Sequence, residues 1–395
     1  MKKLNVLIIG TGMYVSGRGT PGYGTVLPAV FQWAKKAGMK EIFAAGTGPS
    51  GIAAMKKKAS ALNDDLGTDI RVRYFPSGGR TDKNAYVKAI EEIPRPACAI
   101  IAVPDALHKE VMTRTIRAGL HTLVVKPAVL TVDDLRELLA AQSRHRVYCA
   151  VEYHKRFDLA NLRLRDAIRD GAIGDPLYAI VEYSQRKEVP SVIFKKWVAS
   201  TNVFQYLGVH YADIIWFATK ATPVRAMAIS HDGWLAQKKI KAKDAVGGIV
   251  EWKMPSGKKF VSYILTSWVD PAGTSAMSDQ KIKFIGTKGR FESDQKDRGI
   301  TVVTDSRGLE EPNPYFSAAY GQAGERSYRG YGIESIRTFL EDAVGIESGQ
   351  SWPEALEGKR PTLKDSLVST AVVEAVNKSL GASGNWINIR IKNEK

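Results

Sequence analysis

The sequence predicts an α/β fold: an N-terminal doubly wound parallel sheet, then an α+β domain built on a large, mostly antiparallel open sheet. Three observations lead there. The first third of the chain alternates short apolar runs with helix-like stretches, as parallel strands wrapped by helices do. Beyond it, strand-like segments separated by Gly, Pro and Ser turns dominate. The 395 residues also exceed what one small core needs, so two domains are expected, 1–149 and 150–395.

Each element follows in order. Met1-Lys2-Lys3 before an apolar run faintly imitates a leader, but the run is short, contains Asn5 and enters Gly10. It reads as a first strand, 5–10. A glycine-rich loop, 10–24, precedes a helix over 25–37 with Val26, Ala29, Val30 and Trp33 on one side. Strands follow at 40–45, 97–103, 122–125 and 147–150, with helices at 106–118 and 132–142. In the second domain a helix at 161–169 leads into strands at 178–184, 224–230, 247–253, 259–266, 281–285 and 301–304. The outer face of that sheet would be polar or would meet another subunit. Residues 312–332 read as a long loop, and helices at 334–344 and 363–380 close the chain.

Composition narrows the function classes. No apolar stretch approaches the roughly 20 residues of a membrane span. The net charge is +16, but the basic residues are scattered and lack interleaved aromatics, so nucleic acid is not an expected partner. A solvated surface is the first reading of such a charge, and a site for a phosphate-bearing cofactor or substrate is the second. The two cysteines, Cys98 and Cys149, lie in apolar runs and read as core thiols of a cytoplasmic protein. No histidine pair stands at metal-ligand spacing, and no bound metal is expected.

The chemistry begins at Gly10-Thr11-Gly12-Met13-Tyr14. Two glycines after a strand allow a tight turn and close approach to a pyrophosphate. Val15 stands where a third glycine would be, and the loop is long. Tyr14 and Arg18 either fold over the cofactor or stay on the surface. Strand two ends in Gly46-Thr47-Gly48-Pro49-Ser50 rather than in the carboxylate that would accept an NAD ribose hydroxyl. Thr47 or Ser50 suits a 2′-phosphate, so the cofactor is NADP or NAD, with NADP favoured. Lys56, Lys57 and Lys58 nearby read as a solvated helix face.

The run 97–104, His108, and 118–127 ending in Val125-Lys126-Pro127 resembles the Gfo/Idh/MocA family of sugar and inositol oxidoreductases. So do 153–157, 171–174, 208–213, 284–289 and the closing helices; the resemblance spans nearly the whole chain. It implies a Rossmann domain followed by an α/β domain that builds dimers or tetramers. It implies that Val103, Pro104, His108, Lys126 and Pro127 face the cofactor. It also makes Lys126, where the family carries Glu-Lys-Pro, a catalytic lysine stabilising alkoxide character on a sugar or cyclitol oxygen. Val125 replaces the glutamate.

His210 matches the family's general base, and an imidazole exchanges protons at neutral pH. The aspartate expected four residues earlier is Tyr206, which either contacts substrate or packs. Asp213 either steadies the histidine or lies on a helix surface. Tyr153 and Arg156 are expected at the substrate, although Arg156 is equally suited to pair with a carboxylate at the domain interface. His154 and Lys155 are lesser candidates. Arg186, Trp197 and Asn202 complete the substrate set. The expected reaction is reversible hydride transfer at a secondary hydroxyl. A redox-neutral reaction on held cofactor and a non-catalytic sensor are the alternatives.

Overall fold

A computed structural model describes residues 4–391; Met1-Lys2-Lys3 lie outside the described residues. The chain forms two compact units. The first runs to Val129 and resumes over Asp133–Phe157 and Tyr315–Asp365; the second holds Leu130–Val132, Asp158–Pro314 and the chain from Ser366 onward.

In the first unit the elements are β1 (Asn5–Ile9), α1 (Met13–Ser16), α2 (Val26–Lys36), β2 (Glu41–Ala45), α3 (Pro49–Leu66), β3 (Arg71–Phe75), α4 (Ala85–Glu92), β4 (Ala97–Ile101), α5 (His108–Arg117), β5 (His121–Val125), α6 (Val132–His145) and β6 (Cys149–Glu152). The six strands pair in parallel in the order β3-β2-β1-β4-β5-β6. Central β4 is buried throughout, as a strand covered on both faces must be. Strand order reverses between β1 and β4, the crevice where such sheets bind ligands. The segment 49–96 supplies α3, β3 and α4. In β3 exposed Arg71 and Arg73 alternate with half-buried Val72 and Tyr74, an edge strand too polar to stand out as an apolar run.

In the second unit, α7 (Leu159–Arg169) leads into β7 (Pro176–Arg186), α8 (Val209–Thr219), β8 (Thr222–His231), α9 (Trp234–Gln237), β9 (Ala245–Lys253), β10 (Lys259–Asp270), β11 (Ser278–Gly286) and β12 (Arg290–Asp294). The sheet order is β12-β11-β7-β10-β9-β8, with β7 and β10 parallel and the other pairs antiparallel. One face is apolar and buried through Val181, Tyr183, Val250, Trp252, Ile264, Trp268 and Phe284, and α8 packs with α7 behind it. The other face leaves Tyr178, Ile229, Tyr263 and Leu265 exposed. The strand expected at 301–304 does not join this sheet. It is β13 (Val302–Thr304), paired only with β14 (Gly308–Glu310). Val302 and Val303 are both exposed, so this short hairpin has no apolar face to bury.

Residues 312–332 are not one open loop. They carry a hairpin of β15 (Ala318–Tyr320) and β16 (Ser327–Arg329) and enter α10 (Tyr331–Glu347). This segment returns to the first unit, where a division at residue 150 would leave it in the second. Ile336, Phe339, Leu340 and Ala343 of α10 share one buried core with Val26, Leu27 and Val30 of α2. Gln32 locks the return: its Nε2 donates to the Tyr328 carbonyl at 2.9 Å and its Oε1 accepts the Tyr328 amide at 2.6 Å. The last elements, α11 (Ser366–Gly381) and β17 (Ile387–Asn388), belong to the second unit, where β17 edges the sheet beside β8.

Candidate active site

The glycine turn after β1 is built for close approach. Gly10 has φ +123°, and a Cβ there would stand 2.1 Å from the Ala102 carbonyl oxygen at the end of β4. A Cβ on Gly12 would meet nothing within 4 Å, so that backbone faces open space. Residues Gly10, Thr11 and Gly12 therefore fit a dinucleotide pyrophosphate. The rest of the loop is anchored. Met13 and Tyr14 lie in α1, and the 17–24 segment is tied to α3 by Lys58, whose Nζ donates to the carbonyls of Thr20, Pro21 and Gly22 at 2.9, 2.9 and 2.7 Å. Lys58 is thus a clamp and not merely a solvated charge. The clamp leaves Arg18 beside the first turn of α3, its Nη1 3.2 Å from where a Gly51 Cβ would be. Thr47 is exposed at the end of β2.

Lys126 follows β5 directly, and its peptide to Pro127 is cis. The side chain is half-buried. Burial pushes its ammonium down to about 7; the Glu152 and Asp105 charges pull it up, and Lys155 pushes it down. Such a lysine is part charged and part neutral at physiological pH. Beside it, Glu152 at the end of β6 is buried, with Oε2 accepting from His154 Nδ1 at 2.7 Å. His154 is enclosed by the rings of Tyr14, Phe316 and Tyr331, with centroids at 6.1, 5.3 and 5.7 Å.

In the second unit His210 lies in the first turn of α8, 2% exposed, with the Tyr183 ring centroid 6.3 Å away. The turn before it, Phe204–Gly208, is π-helical, a widening that often accompanies functional side chains. Asp213 is fully buried on α8, which removes the helix-surface alternative.

The NAD-binding Rossmann-fold domain of an oxidoreductase family matches residues 4–153, and that family's C-terminal domain, described as GFO/IDH/MocA, matches 161–292. The chain belongs to the Gfo/Idh/MocA oxidoreductase family. It is similar to a 1,5-anhydro-D-fructose reductase from Ensifer adhaerens, 27% identical over 286 residues, 67% of this chain and 83% of the relative. An inositol 2-dehydrogenase from Rhizobium meliloti strain 1021 is 26% identical over 342 residues, 84% of this chain and 95% of the relative. Among solved structures, a scyllo-inositol dehydrogenase from Lactobacillus casei with bound NAD(H) and scyllo-inositol shares the fold at a TM-score of 0.67 and 15% identity, over 98% of this chain and 99% of the other.

Within this Gfo/Idh/MocA oxidoreductase, several expected site residues prove to have structural engagements. His108 is buried, with Nδ1 2.7 Å from the Pro127 carbonyl and Nε2 3.0 Å from that of Val103. Burial holds its pKa down, while the carbonyl contacts and the Asp105 charge pull it up, and the ring lies between the strand ends that carry Pro104 and Lys126. Arg156 pairs with Asp365 at 2.9 Å, both buried, and lies over the Tyr153 ring. Its partner belongs to the same unit. The Tyr206 ring packs among Phe194, Trp197 and Trp268 at 4.9 to 6.1 Å. Trp197 belongs to that cluster too. Asn202 Oδ1 accepts the Gln205 amide at 2.9 Å and its Nδ2 donates to Asn377 at 2.8 Å. Arg186 donates to the Thr274 carbonyl.

Sequence reasoning passed over Glu152 and Asp105, the two carboxylates whose charges favour the protonated form of Lys126. The signal for Glu152 was a single acid ending the apolar run Val147-Tyr148-Cys149-Ala150-Val151. Among the described residues no group of three or more His, Cys, Asp or Glu is gathered to hold a metal ion, and no helix is long and apolar enough to cross a membrane.

Proposed function

We propose that this oxidoreductase interconverts a secondary hydroxyl and its ketone on a sugar, sugar derivative or cyclitol, using NADP in preference to NAD, with Lys126 polarising the reacting oxygen. The observation that carries this reading is Lys126 itself, a cation held part-charged at the carboxyl end of β5. When bound, the nicotinamide supplies or accepts the hydride. The Gly10–Gly12 turn would hold the pyrophosphate, and Lys126 would stabilise negative charge developing on the substrate oxygen. His210 is the proposed proton-transfer group, by its match to the family's histidine and its place in the first turn of α8. The substrate class follows from relatives named for anhydrofructose and inositol. Preference for NADP is supported by the absence of a carboxylate after β2 and by Arg18 at the first turn of α3. The exposed Tyr178, Tyr263 and Leu265 support a homo-oligomer formed through the open sheet face. The buried free thiols of Cys98 and Cys149 support a cytoplasmic, reducing setting.

The test is a screen of sugars, cyclitols and sugar acids for reduction of NADP and NAD, read at the nicotinamide absorbance. Lys126→Ala is expected to lose at least about a hundredfold in turnover while keeping cofactor affinity. Wild-type turnover in that variant would overturn the proposal.

A further inference from the structure

Strands β5 and β6 run in parallel with Val125 directly beside Glu152, so the residue before Lys126 and this glutamate are neighbours about 5 Å apart across the ladder. Both strand ends open onto the side of the sheet that carries Lys126. Glu152 is 1% exposed. A carboxylate that deep requires partners for both oxygens. Oε2 has one in His154 Nδ1. Oε1 is fully buried and receives no hydrogen bond. His154 is itself immobilised by the Tyr14, Phe316 and Tyr331 rings, so it fixes which oxygen remains available.

We infer that Glu152 is the positioning residue for Lys126: its buried carboxylate, one strand away, favours the charged ammonium through its field, with His154 setting the carboxylate's orientation. Resting on the reading of Lys126 as the polarising cation, this assigns the buried acid that the reaction otherwise leaves idle. The other charged groups acting on Lys126 are Asp105, which attracts it, and Lys155, which repels it; Glu152 is the larger attraction. Asp105 also accepts the Ala106 amide at 2.9 Å, so part of its capacity is committed to its own turn. Removing the Glu152 charge therefore takes away the larger attraction while the Lys155 repulsion remains, and makes the ammonium easier to deprotonate.

The test uses the full-length protein and acetic anhydride, which acylates only neutral amines. Labelling of Lys126 is followed by peptide mass spectrometry between pH 5 and 10. In Glu152→Gln the labelling midpoint is expected to fall by about one pH unit. In the double variant Val125→Glu/Glu152→Gln the carboxylate returns one strand over, and the midpoint is expected back near the wild-type value. A folded Glu152→Gln protein with a wild-type midpoint overturns the assignment. A lowered midpoint that the returned carboxylate leaves unmoved overturns it too, because a charge effect is portable between neighbouring strands and a packing effect is not. Should Glu152→Gln fail to fold by circular dichroism, Glu152→Asp carries the test, with a smaller fall expected and an unchanged midpoint again overturning the assignment. Failure here stays separate from failure of the proposed function, which is judged by turnover of Lys126→Ala.

Discussion

Replacing Asp365 with asparagine removes the charge against which Arg156 is folded. The two side chains are 5% and 9% exposed and meet at 2.9 Å, so the pair sits where solvent screens little. Breaking a buried pair by removing one partner costs about 3–5 kcal/mol. Asparagine still accepts a hydrogen bond from the guanidinium, which places the expected loss at the low end, about 3 kcal/mol. The Tyr153 ring over which Arg156 lies is unchanged in the variant and offsets nothing. For a unit of roughly 200 residues, each kcal/mol moves the melting midpoint by about 2–4 °C. Asp365→Asn should thus melt about 6–12 °C below wild type by calorimetry or circular dichroism. The pair Arg156→Met/Asp365→Leu should recover much of that, since an apolar replacement of both partners removes two charge burials together. A melting point within about 2 °C of wild type, combined with a raised KM, would refute the reasoning and return Arg156 to the substrate.

Three further outcomes are expected. Gly10→Ala forces a Cβ against the Ala102 carbonyl oxygen and should weaken dinucleotide binding by at least about tenfold in a fluorescence titration; unchanged affinity would remove the glycine turn from the cofactor site. Arg18→Ala should raise the Kd for NADP about tenfold and leave that for NAD nearly untouched, whereas equal effects on both would deny Arg18 contact with a 2′-phosphate. Lys126, with its pKa lowered to about 7, is charged below that pH and neutral above it. The rate of ketone reduction should accordingly fall about tenfold per pH unit from 7 to 9, and a flat profile over that range would argue against the ammonium as the acting form.

Much of the first unit was legible in the sequence because its signals are local. An apolar run ending in Gly-x-Gly, a fully apolar strand ending in Pro104, and a strand delivering Lys126-Pro127 each need only a few consecutive residues to be read. The second sheet was legible as well, through alternation between turns. What escaped was decided by contacts between distant segments. The helix of α10 could be seen, but only folding shows that it buries against α2 rather than among its sequence neighbours. Val302 and Val303 have strand propensity, yet tertiary structure gives them no sheet to join. Lys58 resembled any surface lysine until the loop carbonyls of Thr20, Pro21 and Gly22 converged on it.

The site divides in the same way. The residues proposed to carry the chemistry, Lys126 and His210, stand in short motifs and were found by reading along the chain. Their surroundings depend on register and burial, which no short window encodes. Val125 in sequence looks like the loss of a carboxylate before the lysine. The parallel pairing of β5 and β6 places Glu152 beside that position instead. Burial then turns an ordinary lysine into one that titrates near neutrality, because desolvation outweighs the attraction of its acidic neighbours. The sequence by itself determined the family of folds and the presence of the lysine; the tertiary structure decided how deeply it is buried and which charges surround it, and through both its protonation.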